Sequence, residues 1–172
     1  MIKILNNKAF ILIEIILYIG IFSLIMSGIL ISIYSLIESN NLNQTKAMVQ
    51  TEGSFLIGKI DWTLSGIKKI NSPNINSNLL SVTKYDLTIE DPIIITVEGN
   101  IMSIKKGSSE ALDLNNSNTT ISCPLSGCFK HEVQVDEEFS PESIEANIIV
   151  NTKTGSGRNY SQNFSTVKYL RK

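Results

Sequence analysis

Two cysteines, one histidine and several groups of carboxylates are the residues of this 172-residue chain whose types and spacing could do chemistry. Cys123-Pro-Leu-Ser-Gly-Cys128 brackets four residues that include Pro and Gly, so a tight loop can bring the two sulfurs within bonding distance. The pair reads as a disulfide ahead of two free thiols, and both rank ahead of zinc. A site of Cys123, Cys128 and His131 with Glu132 or Asp136 lacks the second paired cluster on which structural zinc sites usually draw. His131 alternates with Phe129 and Val133, the pattern of a half-buried strand position, and no Ser-His-Asp assignment follows. Asp136, Glu137, Glu138, Glu142 and Glu145 lack the alternate-ligand spacing of a calcium loop and read as a solvated acidic edge. Gly155-Ser156-Gly157 is not followed by the Lys-Ser/Thr of a phosphate loop. The expectation is no catalytic residue, no metal, no cofactor and no enzyme.

Glu14 is the remaining candidate, and it is defined by its surroundings. From Phe10 to Ile37 the chain has no Lys, Arg, Asp, His or Pro, and Glu14 is its one carboxylate. A bilayer core about 30 Å thick needs about 20 helical residues, so this run can span it. An ionised acid at mid-span costs about 2.5 kcal/mol or more, less near the interface, so such a group is normally paired or functional. Snorkelling to the headgroups is the plainer alternative. Lys3 and Lys8 precede the run without an acid, which predicts a single pass with the N-terminus inside and residues 38–172 outside. The run is about twice the length of a secretory h-region and passes straight into Glu38, so cleavage after it is not expected.

Ala9-Phe10-Ile11-Leu12-Ile13-Glu14 resembles the prepilin-type cleavage and methylation motif: a small residue, usually Gly, precedes Phe, and Glu stands fifth after the cut. Ala9 replaces the usual Gly, and Ile11 stands where Thr or Ser is common. The resemblance implies that a prepilin peptidase/methyltransferase cuts between Ala9 and Phe10 and methylates the new Phe10 amine. It further implies that Glu14 forms an assembly salt bridge with the amine of a neighbouring subunit. The spacing is physically apt, because positions i and i+4 share a helix face. Stranding one partner of a buried pair costs about 3–5 kcal/mol, which would make the pair a register switch.

The small residues Gly20, Ser23, Ser27, Gly28, Ser32 and Ser35 punctuate the span and suit close helix approach, or simply the ordinary composition of membrane helices. Beyond the span, Leu42, Val49, Leu56, Ile60, Leu64 and Ile67 recur at helical spacing, predicting an amphipathic helix over 38–70 that Asn71-Ser72-Pro73-Asn74 stops. After residue 76 the pattern changes to a period of two. Leu80, Val82 and Lys84 alternate, and Gly99-Asn100 reads as a tight hairpin between Ile93–Val97 and Ile101–Lys105. Phe129, His131, Val133 and Val135 share one face, Ile144, Ala146, Ile148 and Val150 another, and 160–170 forms a last strand. The Asn/Ser/Thr/Gly-rich stretches 115–120 and 152–157 read as flexible surface connections.

The expected fold is α+β: a leader at 1–9, a transmembrane helix at 10–37, an outer helix at 38–70, and an antiparallel sheet domain at 71–172 packed on that helix. Net charge is −1 with 15 basic and 16 acidic residues, and no basic stripe suggests nucleic acid. By resemblance, the chain is a minor pilin or pseudopilin of a type IV pilus or type II secretion pseudopilus, with a layout closest to J-type subunits. Its partners would be other pilins or pseudopilins and the cytoplasmic membrane. The reading from a different class is an uncleaved signal-anchored binding module that never polymerises.

Overall fold

The computed structural model describes residues 7–85, 90–132 and 142–169, with side chains from Leu12 onward. Val133, Val135, the acids Asp136 to Glu138, and Leu170 lie outside the described residues, as does the leader before Asn7. The fold is α+β, one long N-terminal helix followed by antiparallel sheets. The helix, α1, spans Asn7–Thr63 without a proline. The chain divides into two compact units, Met1–Leu42 and Asn43–Lys172.

In the first unit every large apolar side chain from Leu12 to Ile37 is exposed, from 43% at Met26 to 76% at Leu24. Water would oppose such a surface, whereas lipid suits it, and a helix satisfies its backbone internally. This is the one helix among the described residues long and apolar enough to cross a membrane. Three of its serines are also served from within. Ser23 donates to the Ile19 carbonyl at 2.8 Å, Ser27 to that of Ser23 at 2.7 Å, and Ser32 to that of Gly28 at 2.9 Å.

In the second unit, Val49, Leu56, Ile60 and Leu64 form the buried stripe expected of an amphipathic helix, with Gly53 on the same face. Here α1 ends at Thr63, seven residues before the expected boundary at 70. Gly66, at φ 65°, takes the left-handed conformation that closes a helix end. The chain then enters β1 (Ile67–Ser72), which pairs with β3. The reason for the difference is a register irregularity between Ile67 and Lys69. It brings Ile67 and Ile70, three residues apart, to half-buried positions and so imitates helical spacing within a strand. The Asn71–Asn74 turn therefore ends a strand.

The expected single sheet is two five-stranded antiparallel sheets. One runs β1, β3 (Leu79–Lys84), β4 (Ile93–Glu98), β5 (Ile101–Lys106) and β6 (Leu112–Asp113). Its β4–β5 hairpin turns at Gly99 and Asn100, both at positive φ (56° and 70°), as a two-residue type I′ loop requires. The other centres on β9 (Ser143–Lys153). On one side β9 pairs over its whole length with β10 (Asn159–Tyr169). On the other it pairs with β8 (Phe129–Glu132) and β7 (Thr119–Ser122), while β2 (Asn76–Ser77) extends β8. Ile144, Ala146, Ile148 and Val150 are fully buried and join Leu80, Val82, Ile93, Ile95, Met102 and Phe129 in one core with the helix stripe.

Candidate functional site

Three places collect the residues that could act. The first is Glu14. The backbone of the Ala9–Phe10 junction lies on α1, and Glu14 stands one turn further along, exposed among Leu12, Ile13, Ile15 and Ile16. Its Oε1 accepts a hydrogen bond from the Tyr18 hydroxyl at 3.1 Å. This is the i, i+4 spacing at which helical side chains meet. Sequence reasoning missed Tyr18, although asking which neighbours on the helix could donate to Glu14 would have found it.

The second is the Cys123–Cys128 loop. The two cysteines form a disulfide, with Cα atoms 4.7 Å apart and five residues of separation. Cys128 is buried at the edge of the core, and its N–H donates to Asn78 Oδ1 at 3.2 Å. Gly127 permits the closure: at φ 98° it lies so close to the Ser77 backbone that an added Cβ would stand 3.0 Å from the Ser77 carbonyl oxygen. His131, in β8, stands between two oxygens, with Nδ1 3.1 Å from the Pro73 carbonyl and Nε2 2.8 Å from Glu142 Oε1. It thereby ties the Pro73 turn to the start of β9. Among the described residues no group of three His, Cys, Asp or Glu is gathered as metal ligands.

The third is the end of α1 within the second unit. Lys84 is buried on β3, and its Nζ donates to the Trp62 carbonyl at 2.6 Å while lying 3.9 Å from the centroid of the Trp62 ring. A cation at the C-terminal carbonyls of a helix is favourably placed. Lys106 lies 4.9 Å from the same centroid and pairs with Glu90 at 3.1 Å. Burial, and secondly the charge of Lys106, lowers the Lys84 pKa from its usual 10.5, against the opposing pull of Asp91 and Glu90. At the surface, the hydrogen bond that Lys130 Nζ donates to Glu132 raises the pKa of Lys130.

The rest of α1 in this unit is fastened by polar contacts to β10 and to the connection before β7. Gln162 Nε2 donates to Gln50 Oε1 at 2.6 Å, Thr166 Oγ1 to Asp61 Oδ1 at 2.9 Å, and the Asn116 N–H to Glu52 Oε1 at 2.6 Å. The Asn-rich stretch 115–120, expected to be a flexible connection, is therefore stitched in place. Asn115 accepts from the Met102 N–H at 2.8 Å and donates to the Thr119 carbonyl at 2.9 Å. Gly155-Ser156-Gly157 is the β9–β10 hairpin turn, closed by the Thr154 N–H donating to the Arg158 carbonyl at 2.8 Å.

A shallow groove of about 910 Å³ lies along 64–70, Tyr85, Glu142 and 167–169. Among the described residues its charged side chains are Lys68, Lys69, Lys168 and Glu142. These features define an α+β protein with one N-terminal helix able to span a membrane and an antiparallel β outer unit, an order compatible with a pilin-like fold. Compared with known protein families, curated proteins and solved structures, the chain has no match.

Proposed function

We propose that the chain is a non-enzymatic minor pilin or pseudopilin, cut between Ala9 and Phe10 and built into a type IV pilus or type II secretion pseudopilus as a low-copy initiating or tip subunit. The observation that carries this reading is Glu14: one carboxylate in a wholly exposed apolar helix stretch, fifth after a small-residue–Phe junction. An anchor alone has no need of an acid there. A subunit that leaves the bilayer for a filament does, because a neighbour's Phe10 amine gives the carboxylate a partner in a place with little water. The N-terminus stays in the cytoplasm and residues 38–172 face outward.

Mass spectrometry of the protein purified from membranes tests the reading. A chain that starts at methylated Phe10 supports it, and one that retains Met1 counts against it. Glu14→Ala should enter the membrane normally but lose crosslinking to partner pilins. The competing reading, an uncleaved signal-anchored binding module, draws support from Tyr18, which gives Glu14 a donor without any neighbour. On that reading, crosslinks to pilins are absent for both the parent chain and Glu14→Ala.

A further inference from the structure

We infer that Tyr18 is a positioning residue for Glu14: its phenol holds one carboxylate oxygen so that the other is presented to an incoming cation. The inference rests on the assembly reading above and extends it to a residue that the cleavage motif does not contain.

The argument starts from donors and acceptors. An ionised carboxylate has two oxygens to satisfy, and lipid offers no donors. Tyr18 supplies one, 3.1 Å from Oε1. Of the positions three and four residues away along the helix, Phe10, Ile11, Leu17 and Tyr18, Tyr18 alone carries a side-chain donor. Among the described residues, therefore, Oε2 has no protein donor.

The chemistry of the donor matters as much as its position. A phenol is neutral, so it fixes the carboxylate in one arrangement without cancelling its charge. A Lys or Arg at position 18 would neutralise Glu14 within the subunit and remove its demand for a partner. Tyr18 gives orientation and leaves the charge to attract a cation. That is preorganisation, which reduces the ordering cost of association. It also selects a direction: Glu14 is held on the face that continues through Tyr18 to Ile21 and Ile25, which border a shallow apolar groove along the same helix. A partner helix carrying the cation would seat along that face.

Two measurements on the full-length chain test this. In lipid nanodiscs, infrared spectroscopy of the chain carrying a 13C carboxyl label at Glu14 reads the hydrogen bond without any assembly. Tyr18→Phe should shift the labelled carboxyl band, and an unmoved band overturns the inference. In cells that assemble the filament, incorporation is read as the crosslinked fraction of the membrane-inserted subunit. Tyr18→Phe should lower it about tenfold, the loss of one hydrogen bond to a charged group. The same change in a Glu14→Ala background should do nothing more.

An equal loss from Tyr18→Phe in both backgrounds would mean that the ring merely packs, and would overturn the inference. So would normal incorporation of Tyr18→Phe where Glu14→Ala fails, an outcome that leaves the assembly reading standing. If Glu14→Ala incorporates normally, the assembly reading itself fails and takes the positioning role with it.

Discussion

Gly53 and Gly58 lie on the same stretch of α1, and substituting each with Ala separates helix propensity from packing. In a helix interior Ala is favoured over Gly by about 0.5–1 kcal/mol. Gly58 is exposed, and a Cβ added there would meet nothing within 4 Å, so Gly58→Ala should gain roughly that amount. Gly53 faces β10. A Cβ there would stand 2.2 Å from both Cε2 and Cζ of Phe164 and 2.5 Å from Cδ2. Carbon atoms pack at about 3.5–4.0 Å, so the ring and the helix must part by more than an ångström. Phe164 cannot swing away freely, because its half-buried ring packs against the core, and its strand is held in register with β9 from Asn159 to Tyr169. Overpacking of this kind costs about 1–3 kcal/mol. The propensity gain is common to both variants, so Gly53→Ala should fall below Gly58→Ala by about 1–3 kcal/mol. The assay is urea unfolding of the full-length chain in detergent micelles, followed by the fluorescence of Trp62, the single tryptophan, at the end of this helix. Phe164→Leu should recover part of the loss in the Gly53→Ala background and lower stability by itself, giving a positive coupling. Equal midpoints for Gly53→Ala and Gly58→Ala would refute the close approach of α1 to β10.

Two further outcomes follow from the same unit. Because burial lowers the Lys84 pKa, the folded chain binds fewer protons than the unfolded chain in the window just below 10.5, so this group makes stability rise with pH there. Urea midpoints read by circular dichroism from about pH 8 to about pH 10 should therefore climb more for the parent chain than for Lys84→Met, and parallel curves would refute the assignment. Replacing Cys123 and Cys128 together with Ser should cost about 2 kcal/mol, the closure entropy of so short a loop, and should open the loop to limited proteolysis. An unchanged unfolding midpoint would contradict a stabilising role for the bridge.

What the sequence made legible follows from how local each signal is. The membrane-capable run is a property of consecutive residues, and so is the Gly99-Asn100 hairpin, where two positive φ values call for those two residue types. The alternation of Ile144, Ala146, Ile148 and Val150 likewise foretold the most buried strand. The end of α1 was misread for a local reason too: a strand irregularity put Ile67 and Ile70 at the spacing of a helix, and the decisive residue was Gly66. The division of the strands into two sheets was not legible, because it depends on pairings distant in sequence, β7 with β9 and β2 with β8.

Polar partnerships divide along the same line. Lys84 could be placed on the buried face with Leu80 and Val82, yet the carbonyl that receives its charge, that of Trp62, lies 22 residues away. Glu52 meets Asn116 across 64 residues, so the Asn-rich stretch 115–120 looked mobile although the helix holds it. Glu14 and Tyr18, by contrast, are four residues apart and were legible in principle. A buried or lipid-facing charge should therefore be read together with every donor its own helix can offer before its solitude is taken as the signal. For Glu14 that reading changes the question: a carboxylate already held by a neutral hydroxyl still needs a cation, and the charge that remains is what a neighbouring subunit would have to supply.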